Sequence, residues 1–168
     1  MDLAITDFNK AIKLNPSNDN YYMLRAGCFS QRKDFASSIP DYQRAIELNS
    51  FDHLAILGKM EAEICLRKYD ESLITYGKLP QMLDPQHMLV AECLRCLALT
   101  MQGEEYEKFI IFLTDMKIRL SIYVWCIEEL KHFINEIECE NDLSKVTRAK
   151  KIYQLFLQHF DDLGYTRC

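Results

Sequence analysis

Glycine and proline are scarce in this chain, five and four among 168 residues. Phosphate-cradling loops and nucleophile elbows are built on glycine clusters, and the sequence carries neither, nor a metal-binding helix motif. Apolar residues never run together for the ~18 positions that a membrane span requires. The start MDLAITDF lacks the basic and apolar regions of a signal peptide, and the ending YTRC is no prenylation box. Basic residues are outnumbered, 20 against 25 acidic ones for a net charge of -5. A general binder of nucleic acid or of anionic membrane needs a basic stripe instead. The partners expected are therefore proteins, with no nucleic acid and no membrane.

Paired thiols are also few. The seven cysteines are odd in number and scattered, which argues against a disulfide framework and for small core residues in a reducing compartment, the cytoplasm by default. Cys93-x-x-Cys96 alone has a paired spacing. Zinc needs four ligands and no second pair stands at a suitable distance. A redox pair wants a strand–helix context, whereas AECLRCLAL reads as mid-helix. Core packing is the expected role. The histidines His53, His87, His132 and His159 are far apart, and the pairs Glu104-Glu105 and Glu128-Glu129 point different ways on a helix, so they read as solvated faces. These residues imply no enzyme, no cofactor and no metal.

What is present is an ordinary globular composition, 49% apolar and 27% charged, with nine Phe, nine Tyr and one Trp. A chain of this length buries roughly two thirds of its unfolded surface.

The organising feature is a copy. Residues 38–49, SIPDYQRAIELN, repeat residues 4–15, AITDFNKAIKLN, at an offset of 34, with Ile5/Ile39, Asp7/Asp41, Ala11/Ala45, Ile12/Ile46, Leu14/Leu48 and Asn15/Asn49 identical. The offset recurs with Phe35/Tyr69, Ser38/Ser72, Ile39/Leu73 and Tyr42/Tyr76. A fixed period of this length means stacked copies of one supersecondary unit. In each copy the small residue, the aromatic four later and the alanine three after that share one helical face, so the period encodes helix-on-helix packing.

These residues resemble the tetratricopeptide repeat. The middle copy matches with Tyr22, Ala26, Phe29, Phe35, Ser38, Tyr42 and Ala45, though Ser50 stands where proline is usual. The first copy matches with Ala4, Phe8, Ala11 and Pro16. The third keeps Tyr69, Ser72 and Tyr76, but has Met60 at the small-residue position and Glu63 at an aromatic one. The resemblance is strong over residues 2–50, fair to Pro80 and faint beyond. It implies an all-α fold, a right-handed superhelical solenoid of antiparallel helix pairs with about eight helices.

The expected organisation is one domain. Residues 1–16 form the second half of a truncated repeat, 17–50 and 51–80 are repeats, 84–116 a divergent repeat, and 117–168 C-terminal helices suited to a cap. Helices are expected over about 2–14, 20–31, 35–48, 52–66, 69–79, 84–101, 104–113, 118–139 and 143–163. Pro40 fits best if the helix holding it starts at Ser37 or Ser38. Asp84-Pro85 starts a helix and Gln102-Gly103 stops it. The run Ile118–Trp125 alternates as a strand would, but its continuation decides for helix. In the last helix Val146, Ala149, Tyr153, Phe156, Phe160 and Leu163 make one seam, either a cap or a docking helix. The first helix leaves one flank without a neighbour, so either another chain covers it or the array continues.

The resemblance implies function as a protein-interaction scaffold, with a partner's peptide or helix held in the concave groove lined by first helices. The residues expected there are Asn20, Met23, Gly27, Gln31, Leu54, Leu57, Glu61 and Cys65. The Lys/Asn/Arg clamp by which some members grip chaperone carboxylate tails is missing, because Met23, Gly27, Leu57 and Glu61 hold such positions. An apolar or basic ligand is therefore expected, unless Met23 and Leu57 are covered by the chain's own helices. The alternative is self-assembly: a homodimer formed through the open N-terminal half-repeat or the last helix.

Overall fold

A computed structural model of the chain describes residues 2–103, 110–111, 128–139 and 142–158. Among the described residues there are eight α-helices and no strand. They fall in two compact units, Met1–Gln81 and Met82–Cys168.

The first unit holds α1 (Asp2–Leu14), α2 (Asp19–Gln31), α3 (Phe35–Leu48), α4 (His53–Cys65) and α5 (Tyr69–Tyr76), and each helix packs on the next. Asparagine or aspartate starts three of them. Asn18 accepts from the Asn20 N–H, Asp34 from Ser37 and Asp52 from Ala55. Each satisfies one of the amide donors left over at a helix start. Lys68 opens α5 without such a bond, and Asp70 and Glu71 in the first turn complement the helix dipole there.

The 34-residue offset reappears in the backbone. α2 and α4 begin and end 34 residues apart, as do the starts of α3 and α5. Lys33 and Arg67, also 34 apart, both turn at φ 60, in the left-handed region. After each of them the chain closes with the same bond, from the Asp34 N–H to the Phe29 carbonyl at 2.9 Å and from the Lys68 N–H to the Glu63 carbonyl at 2.8 Å. The small residues that let the helices meet, Ser38 and Ser72, are both fully buried, as is Ala26. Tyr42 packs over Gly58 so closely that a Cβ there would lie 2.5 Å from the ring.

α3 spans Phe35–Leu48, as expected from the sequence, and starts at Phe35 and not at the Ser37 or Ser38 that would suit Pro40, because Asp34 caps it; Pro40 thus lies inside the helix. The bond that proline cannot donate would have gone to the carbonyl of Ala36, a residue on the exposed side of the helix. α5 ends at Tyr76 instead of continuing to 79. Gly77 disfavours further helix, and Pro80 pushes Leu79 out of the helical region. The chain closes with the short turns Lys78 N–H to Thr75 carbonyl and Leu79 N–H to Tyr76 carbonyl.

The second unit holds α6 (Pro85–Gln102), α7 (Glu128–Glu136) with a 3-10 turn over Ile137–Cys139, and α8 (Leu143–Leu157). α8 packs on both α6 and α7. Asp84 caps α6 through the N–H groups of Gln86 and His87, and Gly103 at φ 91 stops it, as the sequence indicated. Leu89, Leu94, Leu97, Phe133, Ile152 and Phe156 are among the buried side chains. Of the seam expected in the last helix, Val146, Ala149, Tyr153 and Phe156 are buried, whereas Phe160 and Leu163 lie outside the described residues. So do most of the helix expected at 104–113, and residues 118–127 with their strand-like alternation.

Candidate protein-binding surface

Successive residues of an α-helix are 100° apart around its axis, so Asn20, Met23, Leu24, Gly27 and Gln31 fall within one stripe about 100° wide along α2. The opposite side of α2 does the packing: Ala26 is fully buried and Arg25 is held to α3. The stripe itself is open. Asn20, Leu24 and Gln31 are exposed, and Met23 and Gly27 are half-buried. A Cβ built on Gly27 would meet no atom within 4 Å, so the space over the glycine, between Met23 and Gln31, is open. Polar amides stand at both ends of the stripe, with a thioether and a leucine between them. That arrangement can bury apolar side chains of a ligand while its ends bond backbone groups.

The α4 half of the expected groove is different. Leu54 is 37% exposed, but Leu57, Glu61 and Cys65 are buried. The expectation of one groove lined by both helices is narrowed to α2 and Leu54. α4 is buried continuously from Ala55 to Cys65, with Lys59, Glu61 and Glu63 included.

The electrostatics beside the stripe are set by ion pairs on the packing side. Arg25 grips Asp41 of α3 with two bonds, Nε–Oδ2 and Nη2–Oδ1, each 2.6 Å. Its Nη1 reaches Asn9 Oδ1 on α1 at 2.5 Å, and its guanidinium lies 5.8 Å from the centre of the Tyr22 ring. The hydrogen bonds to Asp41 hold the Arg25 pKa above its ordinary value, so the cation is permanent.

One repeat later the same layout has exchanged its acid. Lys59 stands at the Arg25 position and reaches Thr75 Oγ1 at 3.3 Å, sixteen residues on, as Arg25 reaches Asp41. The carboxylate comes instead from Glu63 on α4 itself, with Nζ to Oε1 at 3.2 Å. Glu63 thus sits where the repeat carries an aromatic, and does so as the counter-ion of a buried lysine. Sequence comparison of the copies marked Glu63 as a departure but not this pairing.

The paired thiols do not form a reactive site. Cys93 and Cys96 are buried and not joined in a disulfide, and burial pushes the Cys96 thiol far above its ordinary value, with Glu92 adding to the effect. A thiol so shifted carries no thiolate at neutral pH. Cys28 and Cys65 are likewise unbridged. His87 Nδ1 is paired with Asp84, as part of the α6 cap.

Comparison of the chain with known protein families and with curated proteins finds no match.

Proposed function

We propose that the chain is a helical-repeat solenoid of the tetratricopeptide type that works as a protein-interaction scaffold, without enzymatic activity. The recurrence of helices, caps and left-handed turns at 34 residues supports the architecture. The observation that carries the function is the open stripe on α2, with no atom of the chain over Gly27 between Met23 and Gln31. The ligand is a peptide or a helix with apolar side chains, held by burial and by the amides of Asn20 and Gln31, and it is not a chaperone carboxylate tail. The free cysteines fit a cytoplasmic setting.

The test compares wild type with Met23→Glu and Gly27→Arg. Both sites are open, so both variants should keep the wild-type circular dichroism and melting curve. Partners recovered from lysate by wild type and absent with both variants support the stripe as the working surface. The same partners recovered by all three proteins would refute it.

A further inference from the structure

An array of similar repeats can assemble wrongly, by setting one repeat's helix on another repeat's partner or on a second copy of the chain. That hazard applies here, because α2 and α4 match at 34 residues, as do the starts of α3 and α5, and α3 borders both α2 and α4. What differs between the two pairs is where the acid stands. In the first pair the cation is on α2 and the carboxylate on α3, Arg25 and Asp41, with side chains 20% and 10% exposed. In the second pair both are on α4, Lys59 and Glu63, 11% and 4% exposed. The α5 residue opposite Lys59, Thr75, is neutral and buried. Phe29, which holds the Glu63 position on α2, is neutral as well. Two other acids stay out of this balance. Glu61 lies roughly 160° around α4 from Lys59, and Asp7, at the Asp41 position of α1, is 73% exposed.

Each native pair is therefore neutral at its contact, and each exchanged pair is not. α2 set on α5 buries Arg25 against Thr75 with no acid. α4 set on α3 buries Lys59 with two acids, Glu63 and Asp41. A buried charge without compensation is costly, whereas a paired one roughly breaks even. We infer that the relocated acid is a recognition device, which makes each first helix accept only its own second helix. It fixes the order of the repeats and keeps them from exchanging between copies. The penalty falls on the wrong pairing, which is how partners of like shape are told apart. This holds whatever the α2 stripe binds.

Substitutions in the whole chain can move the acid. Glu63→Phe with Thr75→Asp gives the second pair the layout of the first, and Phe29→Glu with Asp41→Thr gives the first the layout of the second. Either double variant keeps its native pairs neutral but makes the exchanged pairs neutral too. All four substitutions together restore the contrast, with the layouts interchanged. Stability is the first readout. Glu63→Phe alone and Thr75→Asp alone each leave a buried charge uncompensated and should lower the urea midpoint, and their combination should bring it back toward wild type. Refolding is the second. Isotopically light and heavy chains are unfolded together, diluted, cross-linked through amines and mapped by mass spectrometry. Lys33 beside α2, and Lys68 and Lys78 beside α5, supply the amines. Links joining α2 of one copy to α5 of another should be rare in wild type, and about tenfold or more commoner in each double variant. In the four-fold variant they should be rare again, although it carries more substitutions. A double variant no more stable than its single ones would overturn the charge balance. Double variants that exchange no more than wild type, or a four-fold variant that exchanges as much as they do, would overturn the recognition.

Discussion

Removing the charge of Glu63 while keeping its shape isolates what the buried lysine needs. Lys59 and Glu63 have side chains only 11% and 4% exposed, and lie 3.2 Å apart. At an effective dielectric constant of about 20, two unit charges at that distance attract by roughly 5 kcal/mol. That gain is offset largely by the desolvation of both groups, so the pair is nearly neutral as a whole but costly to break. Glu63→Gln should therefore destabilise the fold by about 3–5 kcal/mol, because it leaves Lys59 buried with Thr75 as its neutral contact. The double substitution Lys59→Met/Glu63→Leu should cost less than about 1 kcal/mol, or stabilise. One reason is that Glu63 Oε2 is buried with no hydrogen-bond partner among the described residues, so the apolar pair removes an orphan acceptor. Urea unfolding of wild type, Lys59→Met, Glu63→Leu and the double variant gives the coupling free energy, with Glu63→Gln measured beside them. A Glu63→Gln cost under about 1 kcal/mol, or a coupling near zero, would refute the account of Glu63 as the acid transferred from the second helix to the first.

Gly58→Ala should destabilise despite the better helix propensity of alanine, by about 1–2 kcal/mol, since overlap with the buried Tyr42 ring outweighs the roughly 1 kcal/mol gained in the helix. Thermal melting checks it, and Tyr42→Leu in the same chain should reverse the sign of the Gly58→Ala effect. Burial raises the Asp84 pKa, but the hydrogen bonds from His87 and from the Gln86 and His87 amides outweigh it and hold the carboxyl below its ordinary value. Its contribution is therefore complete above the unfolded carboxylate pKa and fades as pH falls through the lower folded one. Asp84→Ala should cost about 1 kcal/mol at neutral pH and progressively less on acidification, as read by denaturation between pH 6 and pH 3. Alkylation of the native chain followed by peptide mapping should label Cys28, which is half-buried, and spare Cys93 and Cys96 until denaturant is added. Labelling of Cys96 at the rate of Cys28 would contradict its shifted thiol.

The sequence made the first unit readable because identical residues 34 apart must sit in equivalent places. The start of α6 followed from Asp84, whose side chain does the capping, and Asn18 and Asp52 cap α2 and α4 in the same way. α3 keeps the span read for it, 35–48, because the preference of Pro40 for a later start is outweighed by the Asp34 cap and by packing of Phe35, which is buried. The groove was half legible. Register places Leu57, Glu61 and Cys65 correctly relative to Met23, Gly27 and Gln31, but register alone does not say that α4 is covered. Lys59, Glu61 and Glu63 are residues that seldom lie inside, and pairing of the sort seen between Lys59 and Glu63 is what lets such a helix be interior. The exposure of Asp7 could not be read from residues it shares in type with Asp41.

Arg25 joins three successive helices through one side chain, to Asn9 behind and Asp41 ahead. In an array where each helix otherwise touches its neighbours, such a clasp determines whether the end helix opens alone or only together with the rest. With Arg25 present, the amide hydrogens of α1 should exchange in concert with those of α2 and α3. With Arg25→Met, which keeps the stem and removes all three bonds, α1 should become a separate fraying unit while α3 to α5 keep their protection. The guanidinium is thus a device for cooperativity, setting how many helices must unfold at once.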